Sequence, residues 1–326
     1  MISVLQTTEE LLQHYDKYAA ANSFPKEPKG IYDGARHIMN IKGKRIRPLL
    51  ALHACDIFEG NIEKALGAAH AVEVFHNFTL VHDDIMDNAS VRRGVKTVHE
   101  VYGNNVAILA GDVMLSLAYQ YLVDKNEDCL VDLIQVFNRT GVQVMEGQQW
   151  DVDFETRLDV TEAEYIEMIK YKTSVLLACS LKLGAIIAGA PKEDQENIYQ
   201  FGLNLGLAFQ IKDDYLDSFG EAEKVGKRIG GDILNNKKTL LLITALSKSN
   251  GADKEELLSL MNEKNEEAKI ANTKALFNKL GVKEYIEQKM QELFTTSLEY
   301  LAEVKADGDR KKNLAQFAEK VYYREF

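Results

Sequence analysis

Only four prolines occur in 326 residues: Pro25, Pro28, Pro48 and Pro191. The 135 residues after Pro191 contain none. A proline inside a helix removes a backbone donor and clashes with the preceding turn, so a stretch this long without one permits helices of many turns. The apolar residues agree. "KALGAAHAVEVFHNFTLVHDDIMD" (64–87) is apolar on more than one face, as a central helix is. "NVAILAGDVMLSLAYQYLV" and "QENIYQFGLNLGLAFQIKDDYLDSFG" follow the same pattern. "DVTEAEY" opens a helix, with Thr161 as cap and Glu164 three residues later. No period-two alternation is sustained, and no linker or low-complexity tract interrupts the chain. The expectation is a single all-α domain over 1–326. Its apolar helices lie inside, and the charged tail "KEELLSLMNEKNEEAKIANTKALFNKLG" supplies outer, solvated ones.

The net charge of −11 argues against a general nucleic-acid surface. An anionic ligand would need local basic groups or bridging metal ions. Cys55, Cys129 and Cys179 are scattered and form no CxxC pair, which points to a reducing compartment. The first residues show no signal peptide. The most apolar stretch, 174–190, is short for a membrane span and carries Lys182, so it suits a buried helix. A cytoplasmic protein without a membrane span is expected.

Two carboxylate clusters stand out. "FTLVHDDIMDNASVRRG" holds Asp83, Asp84 and Asp87, and "FQIKDDYLDSFG" holds Asp213, Asp214 and Asp217. On a helix, the first and last aspartates of each cluster lie one turn apart, about 6 Å along the axis. One such cluster could be an acidic helix end in water. Two matched copies fit that poorly, because like charges one turn apart destabilise a helix and acids favour helix starts. Carboxylate oxygen ligands suit a hard cation, Mg²⁺ with Mn²⁺ as the alternative. Basic residues lie close in sequence: Lys44, Arg45 and Arg47 in "GKRIRP", Arg92 and Arg93, Lys172 with Thr173 in "YKTS", and Lys227 with Lys237 or Lys238 in "VGKRIGGDILNNKKT". Alone, each could be a solvated surface cation. Beside the aspartates they suit phosphate groups. No GxxxxGK[ST] loop is present, so a nucleoside triphosphate is not the obvious ligand.

Lys44 and Arg47, DDIMD with RRG, the KT pair, FQ with DDYLD, and the late GK occur in one order from about 43 to 238. In this the chain resembles the trans-isoprenyl diphosphate synthases, the polyprenyl synthetase family. The resemblance implies an all-α barrel of long helices around a deep central cavity, the isoprenoid synthase fold, usually as a homodimer. It implies that Asp83, Asp84, Asp87, Asp213, Asp214 and Asp217 bind Mg²⁺. Arg92, Lys172, Lys227 and Lys237 would contact the allylic diphosphate. Lys44, Arg47, His76 and Arg93 would take the diphosphate of isopentenyl diphosphate, and Thr173 and Gln210 would line the reacting centre. Of a basic C-terminal cluster, only Arg324 is present. The late segment is one residue longer than in some relatives, which leaves Lys237 against Lys238 open.

The implied reaction ionises the allylic C–O bond as charge on the departing diphosphate is neutralised. The isopentenyl double bond then attacks the allylic cation, and a proton is lost to the released diphosphate. In the family, bulk four and five residues before the first aspartate acts as the cavity floor. Here those positions hold Thr79 and Phe78, with Phe75 deeper. One large and one small residue resemble producers of C20 chains, with C15 second. A terpene cyclase needs one DDxxD only, and a non-catalytic subunit of a two-component synthase should lack parts of these motifs.

Overall fold

The computed structural model describes residues 5–220 and 229–323. It is almost wholly helical: α1 (Thr8–Ala21), α2 (Lys29–Asn40), α3 (Ile46–Ile57), α4 (Ile62–Met86), α5 (Val98–Tyr102), α6 (Asn104–Val123), α7 (Leu130–Phe154), α8 (Glu162–Ile169), α9 (Val175–Ile187) and α10 (Lys192–Phe219). Helices Gly231–Leu234, Leu240–Lys248, Gly251–Met261, Glu266–Lys279, Val282–Glu303 and Gly308–Tyr323 follow. The expected start at Thr161 is present as a capping box: its hydroxyl accepts from the Glu164 N–H while the Glu164 carboxylate reaches back to the Thr161 N–H.

The stretch around 174–190 forms α9, whose Val175–Ile186 side are buried apart from Lys182, so it is a core helix. Lys182 escapes by bonding Glu196 at 2.9 Å. α9 packs against α3, α4, α7 and α10. α4 is buried along most of its length, as its two-faced apolar pattern demands. The tail helices Gly251–Met261 and Glu266–Lys279 are largely exposed but bury Leu257, Leu260, Leu276 and Phe277.

Two features have no counterpart in the sequence expectation. One is a two-residue hairpin, β1 (Val91–Arg92) against β2 (Val95–Lys96). It closes through Arg93 at φ +52° and Gly94 at φ +78°, the left-handed pair that a type I′ turn requires. Strands this short leave no alternation to detect. The other is a π-helical turn, Lys170–Ser174, between α8 and α9. Such turns concentrate at functional sites, and this one carries Lys172 and Thr173.

Candidate active site

The first aspartate cluster ends α4 and the second lies near the end of α10. In each, the second aspartate is turned inward. Asp84 is buried and receives Arg92 through Nε at 3.0 Å and Nη2 at 2.7 Å. Asp214 is buried and accepts from the Tyr165 hydroxyl at 2.5 Å and the Gln210 amide at 3.0 Å. Gln210 in turn accepts from the Thr173 hydroxyl at 3.0 Å, which joins the π-turn to the second cluster. The first and last members are more open: Asp83, Asp213 and Asp217 are half-buried and Asp87 is exposed. Asp84 and Arg92 are therefore bonded to each other, and Asp214 is held by neutral donors.

Burial pushes the Asp83 carboxyl up to about 6, with Lys172 opposing and Asp87 and Asp151 adding to the rise. Asp151, on α7, bonds Lys172 at 2.5 Å. Its charge also acts on Lys237. Burial likewise raises Asp232 against the pull of Lys237, with Asp214, Asp217 and Asp213 as further causes. Burial alone would lower the Lys237 ammonium, but Asp214, Asp232, Asp151 and Asp213 outweigh it and hold the proton.

Sequence reasoning missed Asp151 and Asp232. Gly147 offers a signal for Asp151: the two are one helical turn apart on one face. A Cβ at Gly147 would collide with the Lys172 backbone, so α7 and the π-turn touch there and Asp151 meets the Lys172 side chain. Asp232 is placed by its own N–H, which donates to the Asp217 carboxylate at 2.9 Å. Lys237 and Lys238 are also distinguished. Lys237 faces the aspartates, whereas Lys238 bonds the Glu155 carbonyl at 2.8 Å. Lys227 and Arg324 lie outside the described residues.

The remaining cations gather near the start of α3. Arg45 has a left-handed backbone at φ +50° and turns inward to Glu73 at 2.6 Å and the Met39 carbonyl at 3.0 Å. Arg47 is half-buried, and its Nε is sealed from solvent without a hydrogen-bond partner. Burial and the neighbouring Arg93 push its guanidinium down to about 10. His76 is pushed well below its usual value by burial and by Arg47, Arg93, Arg92 and Arg45, so its imidazole is neutral. Arg93 is pinned at the hairpin turn by the Lys42 carbonyl at 3.0 Å. This crowd of positive groups, with one buried guanidinium N–H unsatisfied, suits a multiply charged anion.

Two carboxylate clusters near a group of cations, on a helical bundle, define a site suited to metal ions and phosphorylated ligands. The polyprenyl synthetase family model matches residues 28–280. A short chain isoprenyl diphosphate synthase of Methanothermobacter thermautotrophicus is 38% identical over 299 residues, covering 91% of each chain. A geranylgeranyl diphosphate synthase of Saccharolobus solfataricus is 43% identical over 245 residues, covering 74% of this chain and 73% of its own. A crystal structure of a geranylgeranyl pyrophosphate synthase superposes with a TM-score of 0.93 at 41% identity, over 98% of this chain and 99% of that one. The chain belongs to the polyprenyl synthetase family, and it is a short-chain trans-prenyltransferase.

Proposed function

We propose that the chain, acting over 1–326 as one polyprenyl synthetase domain, condenses isopentenyl diphosphate head-to-tail with an allylic diphosphate to give a C20 diphosphate, the alternative being C15, and diphosphate. The observation that carries this is a run of contacts through the π-turn: Lys172 bonds Asp151, and the adjacent Thr173 bonds Gln210, which bonds Asp214. With the Lys172 charge also acting on Asp83, this supports reading the two DDxxD clusters as one site. Enzymes of this family are metal-dependent, and the donor set here fits Mg²⁺. The ligands are hard carboxylate oxygens, and burial and mutual repulsion give Asp83 and Asp232 a surplus of negative charge that a divalent cation would relieve. Among the described residues no three candidate ligands converge on one point. Asp83, Asp84 and Asp87 would supply one set of ligands and Asp213, Asp214 and Asp217 a second, with Asp84 now bonded to Arg92 and Asp214 to Tyr165 and Gln210.

When bound, Mg²⁺ supplies positive charge to the departing diphosphate. Lys172, Lys237 and Lys227 add theirs, and Arg92 reaches the same group by exchanging Asp84 for phosphate. Lys44, Arg47, Arg93 and the neutral His76 orient isopentenyl diphosphate. Thr173 and Gln210, bonded to one another, lie where the new bond forms. The apolar helix walls keep water from the allylic cation, and the released diphosphate takes the proton.

The two diphosphate sites are separable by kinetics. Lys44→Ala or Arg47→Ala is expected to raise the KM for isopentenyl diphosphate about 10–100-fold, since a charge-assisted contact is worth roughly 1.5–3 kcal/mol. Lys237→Ala raises the allylic KM instead. Initial rates with each substrate varied in turn check this, and a purely allylic effect of Lys44→Ala reverses the two sites.

A homodimer is proposed on the exposed apolar face of α6 and α7. α6 is long and apolar enough to cross a membrane, yet only 33% of its most apolar window is buried. Val131, Ile134, Val142, Met145 and Val152 are exposed and share one side of α7 by helical spacing. Asn138 on that side bonds the Tyr119 hydroxyl of α6 at 3.0 Å, so the stripe continues onto Ile108 and Leu109. A second copy would cover a face of this kind. Val142→Asp with Met145→Asp should halve the mass measured by light scattering. A wild-type monomer refutes the dimer. The three free thiols support a reducing, cytoplasmic setting.

A further inference from the structure

Lys269 lies in the helix Glu266–Lys279, far in sequence from every motif, and only 5% of it is exposed. Its Nζ donates to the carbonyl of Leu234 at 3.1 Å and to that of Met261 at 3.0 Å. These residues end the helices Gly231–Leu234 and Gly251–Met261. Carbonyls there lack intrahelical partners and attract a cation. The Met261 carbonyl also accepts from Asn236 at 3.0 Å, a residue at φ +52°. The next residue, Ile270, packs on Gly230, which has φ +88° and no room for a Cβ because the Ile270 side chain would be 2.7 Å away. One turn of this helix thus grips both ends of residues 230–236.

That segment carries site residues. The N–H of Asp232 bonds Asp217, the Gly230 N–H bonds the Asp217 carbonyl at 2.7 Å, and the Lys237 N–H bonds the Asp232 carbonyl at 2.9 Å. A cavity of about 20 Å³ lies between, lined in part by Asp232, Lys237, Thr239, Lys269, Thr273 and Phe277. We propose that Lys269 is a positioning residue for the allylic diphosphate end of the site: its ammonium clamps two helix ends and so fixes Asp232 and Lys237 against the second aspartate motif. The inference rests on the reading of that motif given above. A lysine that merely satisfies two carbonyls would affect stability and nothing else.

Lys269→Met keeps the apolar stem and removes the donors. With folding verified by circular dichroism at the assay temperature, the allylic KM should rise about tenfold and the isopentenyl KM stay unchanged. Lys269→Arg should recover part of the loss. Adding Lys237→Met to Lys269→Met should cost little beyond Lys237→Met alone, because contacts in series are non-additive. Phe277→Leu, in the same cavity but outside the clamp, should lower Tm and leave both KM values unchanged. A folded Lys269→Met variant with a normal allylic KM overturns the proposal, as does full additivity with Lys237→Met. A normal allylic KM in Lys237→Met beside a raised one in Lys269→Met supports the clamp, acting through Asp232, and removes Lys237 from the site. Should Lys269→Met not fold, Asn236→Gly decides: it keeps the left-handed backbone and removes one bond, and an unchanged allylic KM then overturns the clamp.

Discussion

Asp83→Ala or Asp213→Ala is expected to lower kcat on the order of 10³-fold, about 4 kcal/mol in the barrier, while the helices stay folded. On the proposed reading each removal takes away a metal ligand, and neither side chain is among the buried residues. Chelation should silence the wild type equally. Near-normal turnover of either variant at saturating Mg²⁺ would remove these carboxylates from the metal site. The same carboxylate has an opposite effect on stability. Asp83 titrates at about 6 in the folded chain, above the usual value of about 3.9 for an unfolded aspartate. The folded state therefore binds more protons between those values, so without metal this group's contribution falls as pH rises from about 4 to about 6. Asp83→Asn should then raise Tm in chelator at pH 8, worth about 1–2 kcal/mol. Added Mg²⁺ with diphosphate should stabilise the wild type more than the variant. A Tm lowered by Asp83→Asn in chelator would show that the charge is already compensated by Lys172 and Arg92.

The helical class was legible because it rests on local patterns: the two-faced apolar run of α4, the Thr161–Glu164 cap and the missing prolines each need only neighbours in sequence. The aspartate motifs were legible for the same reason, since the four-residue spacing is the helical turn itself. What stayed hidden depends on distant partners. That Asp84 and Asp214 turn inward is decided by Arg92 and Tyr165, and nothing within DDIMD or DDYLD distinguishes their members. Asp151 gains its meaning from Lys172, 21 residues away, across a contact that only the bare Gly147 betrays. The π-turn is closely packed by α7 and α10: a Cβ at Gly206 would lie 2.6 Å from the Ser174 Cα. That squeeze cannot be seen in the letters KYKTS.

The proposed chain-length role of Phe75, Phe78 and Thr79 gives the second large expected effect, a change in what the enzyme makes. Asp83 and Thr79 are four residues apart, so Thr79 lies nearly beneath Asp83, whereas Phe78 is about 140° around the helix and about 7.5 Å along it. The Thr79 hydroxyl donates to the His76 carbonyl at 2.8 Å, which leaves its methyl as the surface it presents. Phe78 is 5% exposed and its ring meets Phe75 edge-on at 5.4 Å. Phe75 meets Phe137 of α7 at 5.3 Å. The three rings form an aromatic step running from α4 to α7, with the small Thr79 beside it. On the proposed reading, a chain growing down past Thr79 stops against this step. If Phe78 is ordinary core, Phe78→Ala costs about 3–5 kcal/mol of stability and leaves the product unchanged. If it is floor, Phe78→Ala shifts products beyond C20, with Phe75 as the next barrier, and Thr79→Phe shortens them to C15. Chromatographic sizing of labelled products from both variants separates the two. An unchanged distribution in both would mean that the step is only packing and that product length is set by another wall.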